Sequence, residues 1–300
     1  MRCHPLFLLV WTLVLGVVSP GFAEGFPLLD SLAYFPFTPE APPESGRFNL
    51  TVQAAESNVY AVDFNGTAVN DFELSSVLFE LRRGLGGGFF LEAYGRFFFA
   101  HGGVLDPLIE GFHDLFGLPS ARRDAFKKNR VHYSYRDRFD ITSATAGSSP
   151  LVFAAGYAFA ARPSISFFGR VFLGVPLASK PGFVSDRVFG GVGGGVNGHR
   201  GVLRYHLSVH LAAIGPPEWL APEPLNGLMA VVRGELGFRR WRLGGLLRTS
   251  PFREGDPGHN GHQIYLGYRI AECWEIGVVE DLPSFDTTPD IGFFVRFRIL

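Results

Sequence analysis

A strict alternation of apolar and polar side chains along residues 89–99 constrains the fold of this 300-residue chain more than any other feature. Successive side chains of a β-strand point to opposite faces of the sheet, so a period of two indicates an extended strand. One face carries Leu91, Ala93, Gly95, Phe97 and Phe99, and the other carries Glu92, Tyr94 and Arg96. The strand therefore has one apolar face and one charged face.

The same alternation recurs to the C-terminus and predicts an all-β fold. Further candidate strands lie at residues 48–53, 76–82, 130–136, 139–146, 153–159, 165–175, 188–196, 203–211, 228–238, 240–248, 263–270, 274–278 and 293–299. Long and short connections alternate between them, as they do in outer-membrane barrels, whose strand number is even. Counting residues 139–146 as a strand gives about 14 strands, and about 12 is the alternative.

The number of strands indicates which face of the sheet contacts water and which contacts lipid. A barrel of this size is too wide for side chains to fill, so the charged face is expected to line a wet lumen. The face rich in Phe, Leu and Val then meets lipid. Because a membrane tolerates no open sheet edge, the sheet is predicted to close into an antiparallel transmembrane β-barrel. The alternative is a soluble β-sandwich with the apolar face inside.

The N-terminus has the pattern of a cleaved secretory signal. Arg2 supplies the positive charge, residues 6–18 form the apolar core, and Gly21-Phe22-Ala23 is a small-x-small cleavage site. We therefore expect a signal peptide at residues 1–23, a leader rich in Pro and aromatic residues at 24–47, and the barrel at 48–300. Together these predict export through the inner membrane to the bacterial outer membrane. The expected partners are outer-membrane lipid and the barrel-assembly machinery, and a net charge of -1 gives no indication of nucleic acid.

Residues 101–129 break the strand pattern and predict one short helix in a long loop. An apolar stripe with helical spacing follows Asp106, which suits an N-cap, and Pro107 suits the first helical position. The helix either packs over the barrel rim or gates the lumen, since long loops often carry function. The residues assigned to such a gate are Asp106, Ile109, Phe112, His113 and Phe116.

The same loop carries a resemblance to a known family. Residues 102–119, with the sequence GGVLDPLIEGFHDLFGLP, and the Arg122 that follows are similar to a family of uncharacterised bacterial outer-membrane proteins catalogued as a domain of unknown function. Pro176, the glycine-rich residues 190–195 and Thr288-Pro289-Asp290 are similar to it too. The resemblance implies an outer-membrane barrel without an established activity.

Arginine exceeds glutamate on the charged faces of the predicted strands, and this excess is the main indication of function. The predicted lumen residues are Glu80, Arg82, Glu92, Arg96, Arg170, Arg204, Arg233, Glu235, Arg240, Arg242, Arg248 and Arg296. Cationic rings favour anions in a pore, so the pattern predicts a passive channel or transporter for small anionic or amphiphilic solutes. The alternative is a structural or surface-interaction barrel, in which Arg–Glu ladders brace the wall and the lumen is closed.

A second alternative rests on His206 and Ser208, which share one face of a predicted strand. Their spacing resembles that in outer-membrane lipid hydrolases, namely the phospholipase and the lipid A deacylase. A nucleophile and its base need a third group that orients the base, and none adjoins them in the sequence. Asp256, His259 and His262 share one loop but offer few ligands for a metal ion. We therefore predict no catalytic site, no metal and no cofactor.

Overall fold

The computed structural model describes residues 35, 44–62, 68–103, 105, 107, 111, 129–135, 137–162, 164–178, 180–181, 183–221, 225, 227–249, 261–281 and 291–299. The predicted signal peptide and nearly all of the predicted leader lie outside them. The strands are β1 (Phe48–Val62), β2 (Ala68–Gly86), β3 (Phe89–His101), β4 (His132–Tyr135), β5 (Phe139–Ile141), β6 (Thr145–Ser148), β7 (Leu151–Arg162), β8 (Ile165–Val175), β9 (Phe189–Arg200), β10 (Leu203–Ala213), β11 (Leu228–Phe238), β12 (Trp241–Arg248), β13 (Gly261–Ala271), β14 (Trp274–Asp281) and β15 (Ile291–Ile299). Apart from Pro107 and Gly111, which are helical, the described part of the chain contains one helical element, a 3₁₀ turn at Glu218–Leu220.

Twelve of these strands close into an antiparallel barrel. β1, β2, β3 and β7 to β15 pair in that order, and β1 also pairs with β15, so the ring has no open edge. The first and last strands meet over a register that runs from Leu50 opposite Ile299 to Ser57 opposite Gly292. The predicted closed antiparallel barrel is therefore confirmed, with the lower of the two predicted strand counts.

The three short strands β4, β5 and β6 lie outside the ring. β2 extends beyond the end of β3, and its first residues, 68–71, pair with β4 instead. β3 similarly extends beyond β7, and Phe97 to Ala100 pair with β6. Backbone groups of such projecting strand ends need hydrogen-bond partners, which β4 and β6 supply. The predicted strands at 130–136 and 139–146 thus exist as short strands that do not span the barrel.

The two faces of the barrel wall have opposite chemistry. Phe97 and Leu207 point outward and are 53% and 50% exposed, whereas Arg96 and Arg296 point inward and are 4% and 0% exposed. Phe297 shares the outward register and is covered by Trp274, with ring centroids 4.8 Å apart. This arrangement is the one predicted for a barrel in lipid and the reverse of a soluble sandwich.

The connections define two ends of the barrel. At one end, called the turn end below, residues 87–88, 201–202, 239–240 and 272–273 make tight turns between neighbouring strands. At the other, called the loop end, the segments 102–150, 176–188, 214–227, 249–260 and 282–290 connect them. The long loop predicted to contain a helix therefore lies on the same side as the other long connections. No helix in the described residues has the length and hydropathy needed to cross a membrane.

Candidate functional site

The barrel interior holds two clusters of charged side chains that approach from different strands. The first, called the Glu92 cluster, consists of Glu80, Arg82, Glu92, Arg170 and His210. Arg82 and Glu92 lie directly opposite each other on β2 and β3, and Arg82 Nε donates to Glu92 Oε1 at 2.9 Å. Arg170 donates to Glu92 Oε2 and lies 3.2 Å from His210 Nε2. One carboxylate is thus held between two guanidinium groups, the strong charge-assisted form of hydrogen bond.

The second group, called the Glu275 cluster, connects four strands on the other side of the interior. Glu275 of β14 accepts a hydrogen bond on Oε1 from Arg296 Nη1 at 3.2 Å. Arg242 Nε lies 3.3 Å from Glu275 Oε2. Arg242 also donates to Glu235 Oε1 at 3.2 Å. Arg298 Nη2 lies 3.5 Å from Glu275 Oε2. Because all five residues are buried, these contacts are shielded from the solvent that weakens surface ion pairs.

Aromatic side chains fill the interior towards the loop end. This aromatic cluster consists of Phe35, Phe72, Phe172, Phe183 and Phe189, which are all 5% exposed or less. Phe35 belongs to the predicted leader and packs edge-on against Phe172, with ring centroids 5.7 Å apart. Phe183 contacts Phe72 at 6.0 Å, so the loop between β8 and β9 also enters the interior. A leader residue and a loop residue therefore occupy the space above the charged clusters.

Phe35 also connects the aromatic cluster with the charged interior. Its ring stacks on His210 with centroids 6.3 Å apart, and His210 in turn contacts Arg170. His210 is 1% exposed. Phe35, a residue of the predicted leader, therefore contacts a member of the Glu92 cluster directly.

His206 makes the two contacts that a catalytic base makes in a hydrolase. Its Nδ1 lies 2.7 Å from Asn197 Oδ1, and its Nε2 lies 3.0 Å from Ser208 Oγ. Asn197 is directly opposite His206 in the pairing of β9 with β10. The third group that the sequence does not place beside the pair thus comes from the neighbouring strand. All three side chains are buried and face the interior, with the Phe168 ring stacked on His206 at 6.0 Å.

The predicted lumen residues fall into two sets by position. Those that lie in the interior are Glu80, Arg82, Glu92, Arg96, Arg170, Arg233, Glu235, Arg242, Arg248 and Arg296. Arg204 has the inward register but is exposed at the turn end, and Arg240 is exposed in the turn between β11 and β12. Of the predicted loop helix, Pro107 and Gly111 are helical, whereas Asp106, Ile109, Phe112, His113 and Phe116 lie outside the described residues. Asp256 and His259 also lie outside the described residues, whereas His262 belongs to β13, opposite Leu247 of β12.

Sequence reasoning missed several residues that belong to the interior. Gln53 accepts a hydrogen bond from Arg296 Nε at 2.8 Å, and the Tyr265 hydroxyl donates a hydrogen bond to Glu235 Oε2. Phe35 is missed because no periodicity in a Pro-rich leader indicates burial. Alternation on β1 does place Gln53 on the polar face, so its inward position had a usable signal.

These features define the class of the molecule: a twelve-stranded, porin-like β-barrel with an apolar outer face and a charged interior. Residues 38–167 match the family described as "Protein of unknown function (DUF3187)". This match confirms the predicted resemblance to an uncharacterised family catalogued as a domain of unknown function. No curated protein matches the chain.

Solved structures to which the chain is similar include outer-membrane channels and porins. The COG4313 outer membrane channel from Pseudomonas putida F1 is similar with a TM-score of 0.54 and 13% identity, over 88% of this chain and 99% of that chain. The KdgM porin in complex with disordered oligogalacturonate gives 0.40 and 8%, over 84% and 98%. A Rhodopseudomonas blastica porin variant gives 0.36 and 12%, over 84% and 99%. At 13% identity, the similarity to the channel shows a shared fold alone.

Proposed function

We propose that this protein is a passive outer-membrane channel for small anionic or amphiphilic solutes, and that Phe35 and its aromatic cluster close the channel at the loop end. The single observation that carries the proposal is the composition of the interior. In the described part of the interior, the buried arginines are Arg82, Arg96, Arg233, Arg242, Arg248, Arg296 and Arg298, and the buried glutamates are Glu80, Glu92, Glu235 and Glu275. An interior with more guanidinium than carboxylate groups attracts anions and repels cations.

The outer face supports the location that this function requires. Apolar side chains with about half of their surface exposed lie on strands all around the barrel, among them Phe89, Val171, Leu243 and Ile276. Exposed apolar surface of this extent is typical of a protein surrounded by lipid. The signal peptide and contact with the barrel-assembly machinery belong to the same proposal, because a barrel in the outer membrane needs both export and insertion.

Planar-bilayer recording of the purified full-length barrel tests the channel proposal. We expect few openings from the native protein and a higher open probability from Phe35→Ala, because the substitution removes the ring between Phe172 and His210. The matched control is Phe159→Ala, which removes a ring that is 51% exposed on the outer face. An increase with Phe35→Ala alone supports the proposal. Silence from all three proteins contradicts it.

A barrel with a permanently closed interior is the second candidate. It is supported by the burial of the charged clusters, whose members brace several strands at once, as Arg296 does between Gln53 and Glu275. In this case, Phe35→Ala leaves the bilayer silent although the barrel remains folded. The same recording therefore separates the two candidates.

The contacts of His206 support a third candidate, a lipid hydrolase, whose substrate would have to enter the barrel interior because His206 and Ser208 are buried there and face away from the surrounding lipid. Asn197 holds the ring, so that Nε2 of His206 is free to accept the proton of Ser208 Oγ during attack on an ester carbonyl. A fluorophosphonate probe forms a covalent bond to such an activated serine. Hydrolase function predicts labelling of the native barrel and none of Ser208→Ala, with Ser149→Ala as a buried-serine control. An unlabelled native barrel would exclude this candidate.

A further inference from the structure

A group of polar side chains lies on the outer face of the barrel, at the loop end of β1, β2 and β3. Glu56 of β1 is opposite Ser75 of β2, and Glu73 of β2 is opposite His101 of β3. All four share the outward register of Val77 and Phe97, which are 46% and 53% exposed. The group begins where the apolar outer face ends, and it is separate from the charged interior.

The potential metal-ligand atoms of this group lie close together. A carboxylate oxygen of Glu56, one of Glu73 and a ring nitrogen of His101 lie within 4.8 Å of one another. His101 Nε2 is 3.2 Å from Glu56 Oε1 and 2.8 Å from Ser75 Oγ, and Ser75 Oγ donates to Glu56 Oε2 at 2.5 Å. Two ligands of a tetrahedral zinc ion with bonds of about 2.1 Å are about 3.4 Å apart. Small side-chain rotations therefore suffice to bring the three residues around one ion.

Two further observations indicate that this group is a binding site rather than a solvated patch. Glu56 Oε1 is buried, and within the described part of the chain its contact with His101 Nε2 at 3.2 Å does not have the geometry of a hydrogen bond. A buried carboxylate oxygen without a donor is unfavourable unless a cation or proton is near. In addition, the backbone after β3 closes over Glu73. Leu105 N–H donates to Glu73 Oε1, and a Cβ on Gly103, whose φ is +55°, would fall 1.8 Å from the carboxylate.

We propose that Glu56, Glu73 and His101 bind one divalent transition-metal ion, best matched by Zn²⁺, which ties β1, β2 and β3 together at the loop end. An imidazole nitrogen with two carboxylates is a ligand set that zinc accepts, whereas Ca²⁺ and Mg²⁺ prefer oxygen ligands alone. Three protein ligands leave the fourth position for water. The side chains of His101 and Glu56 are 24% and 20% exposed, so an ion can enter from solvent. This site is independent of conduction through the interior.

The proposal is tested by titrating the full-length barrel with zinc in detergent. Bound metal is first removed with EDTA, and the EDTA is then removed. We expect one Zn²⁺ per chain by calorimetry and a rise in unfolding temperature on binding. Loss of an outer-shell partner lowers metal affinity by about 10–100-fold. His101→Gln and Glu56→Gln each remove a direct ligand, so each should weaken Zn²⁺ binding by more than that. Ser75→Ala should retain binding, because it leaves all three ligands. Co²⁺ should give visible absorption bands that His101→Gln abolishes.

A matched control separates this site from adventitious zinc. His132 lies on β4, with its Nε2 3.5 Å from Asp140, and is outside the proposed ligand set. His132→Gln should bind Zn²⁺ as the native barrel does. The proposal is overturned if the native barrel binds no Zn²⁺, or if folded His101→Gln binds as tightly as His132→Gln. It is equally overturned if Ca²⁺ displaces Zn²⁺ at comparable concentration, since the imidazole would then contribute nothing.

Discussion

Glu275 is the residue on which most of the charged contacts in one half of the interior converge. Arg242, Arg296 and Arg298 all reach its two oxygens, at 3.2 to 3.5 Å. Removing one partner of a buried ion pair leaves the others charged and buried, which costs about 3–5 kcal/mol. We therefore expect Glu275→Gln to lower the free energy of unfolding by about 3 kcal/mol. Guanidinium unfolding in detergent or lipid vesicles measures this change.

The control for this prediction is a glutamate in a similar pair at the surface. Glu44 lies 3.2 Å from Arg47, and its side chain is 80% exposed. Exposed pairs contribute about 0–1 kcal/mol, so Glu44→Gln should leave the unfolding curve almost unchanged. If both substitutions have the same small effect, the Glu275 cluster does not stabilise the barrel.

At the residue scale, alternation alone predicted the inward position of Arg96, Arg233 and Arg296, because the period of two fixes the face of each side chain. It did not predict contacts between strands. Asn197 contacts His206 only because β9 and β10 pair in this register. A slip of one residue would turn Asn197 to the other face of the sheet. Alternation is less reliable at strand ends. Arg240 was predicted to face the interior, but it lies in the turn before β12 and is exposed.

At the scale of elements, the extra strands beside the barrel explain why the higher strand count was predicted. Residues 132–135 and 139–141 have strand periodicity and do form a pair, β4 with β5. Periodicity shows that a segment is extended, but it does not show what the segment pairs with. The projecting ends of β2 and β3 supply that partner, and their lengths depend on pairing with distant residues. Strand type was therefore predictable here, whereas membership of the ring was not.

At the scale of the whole molecule, closure follows from the outer face. A lipid-facing sheet needs every edge paired, and the pairing of β1 with β15 satisfies this over eight register positions between Leu50 and Ser57. The sequence therefore predicted a closed barrel with arginines inside. It did not predict how the interior is filled, because Phe35 and Phe183 come from segments without periodicity. Filling depends on tertiary packing, which local pattern does not encode.

The charge of the whole interior leads to a prediction about the open state. In a salt gradient across a planar bilayer, Phe35→Ala channels should show a reversal potential of the sign expected for anion preference, because arginine exceeds glutamate inside. Adding Arg233→Gln removes one inward charge and should lower the anion-to-cation permeability ratio. Arg83 is an exposed residue on the outer face, where its guanidinium lies 4.6 Å from the centroid of the Phe48 ring. Adding Arg83→Gln instead should leave the ratio unchanged, since that charge does not face the path. Cation preference in the Phe35→Ala channel, or equal ratios in the two double variants, would show that the interior arginines do not select the solute.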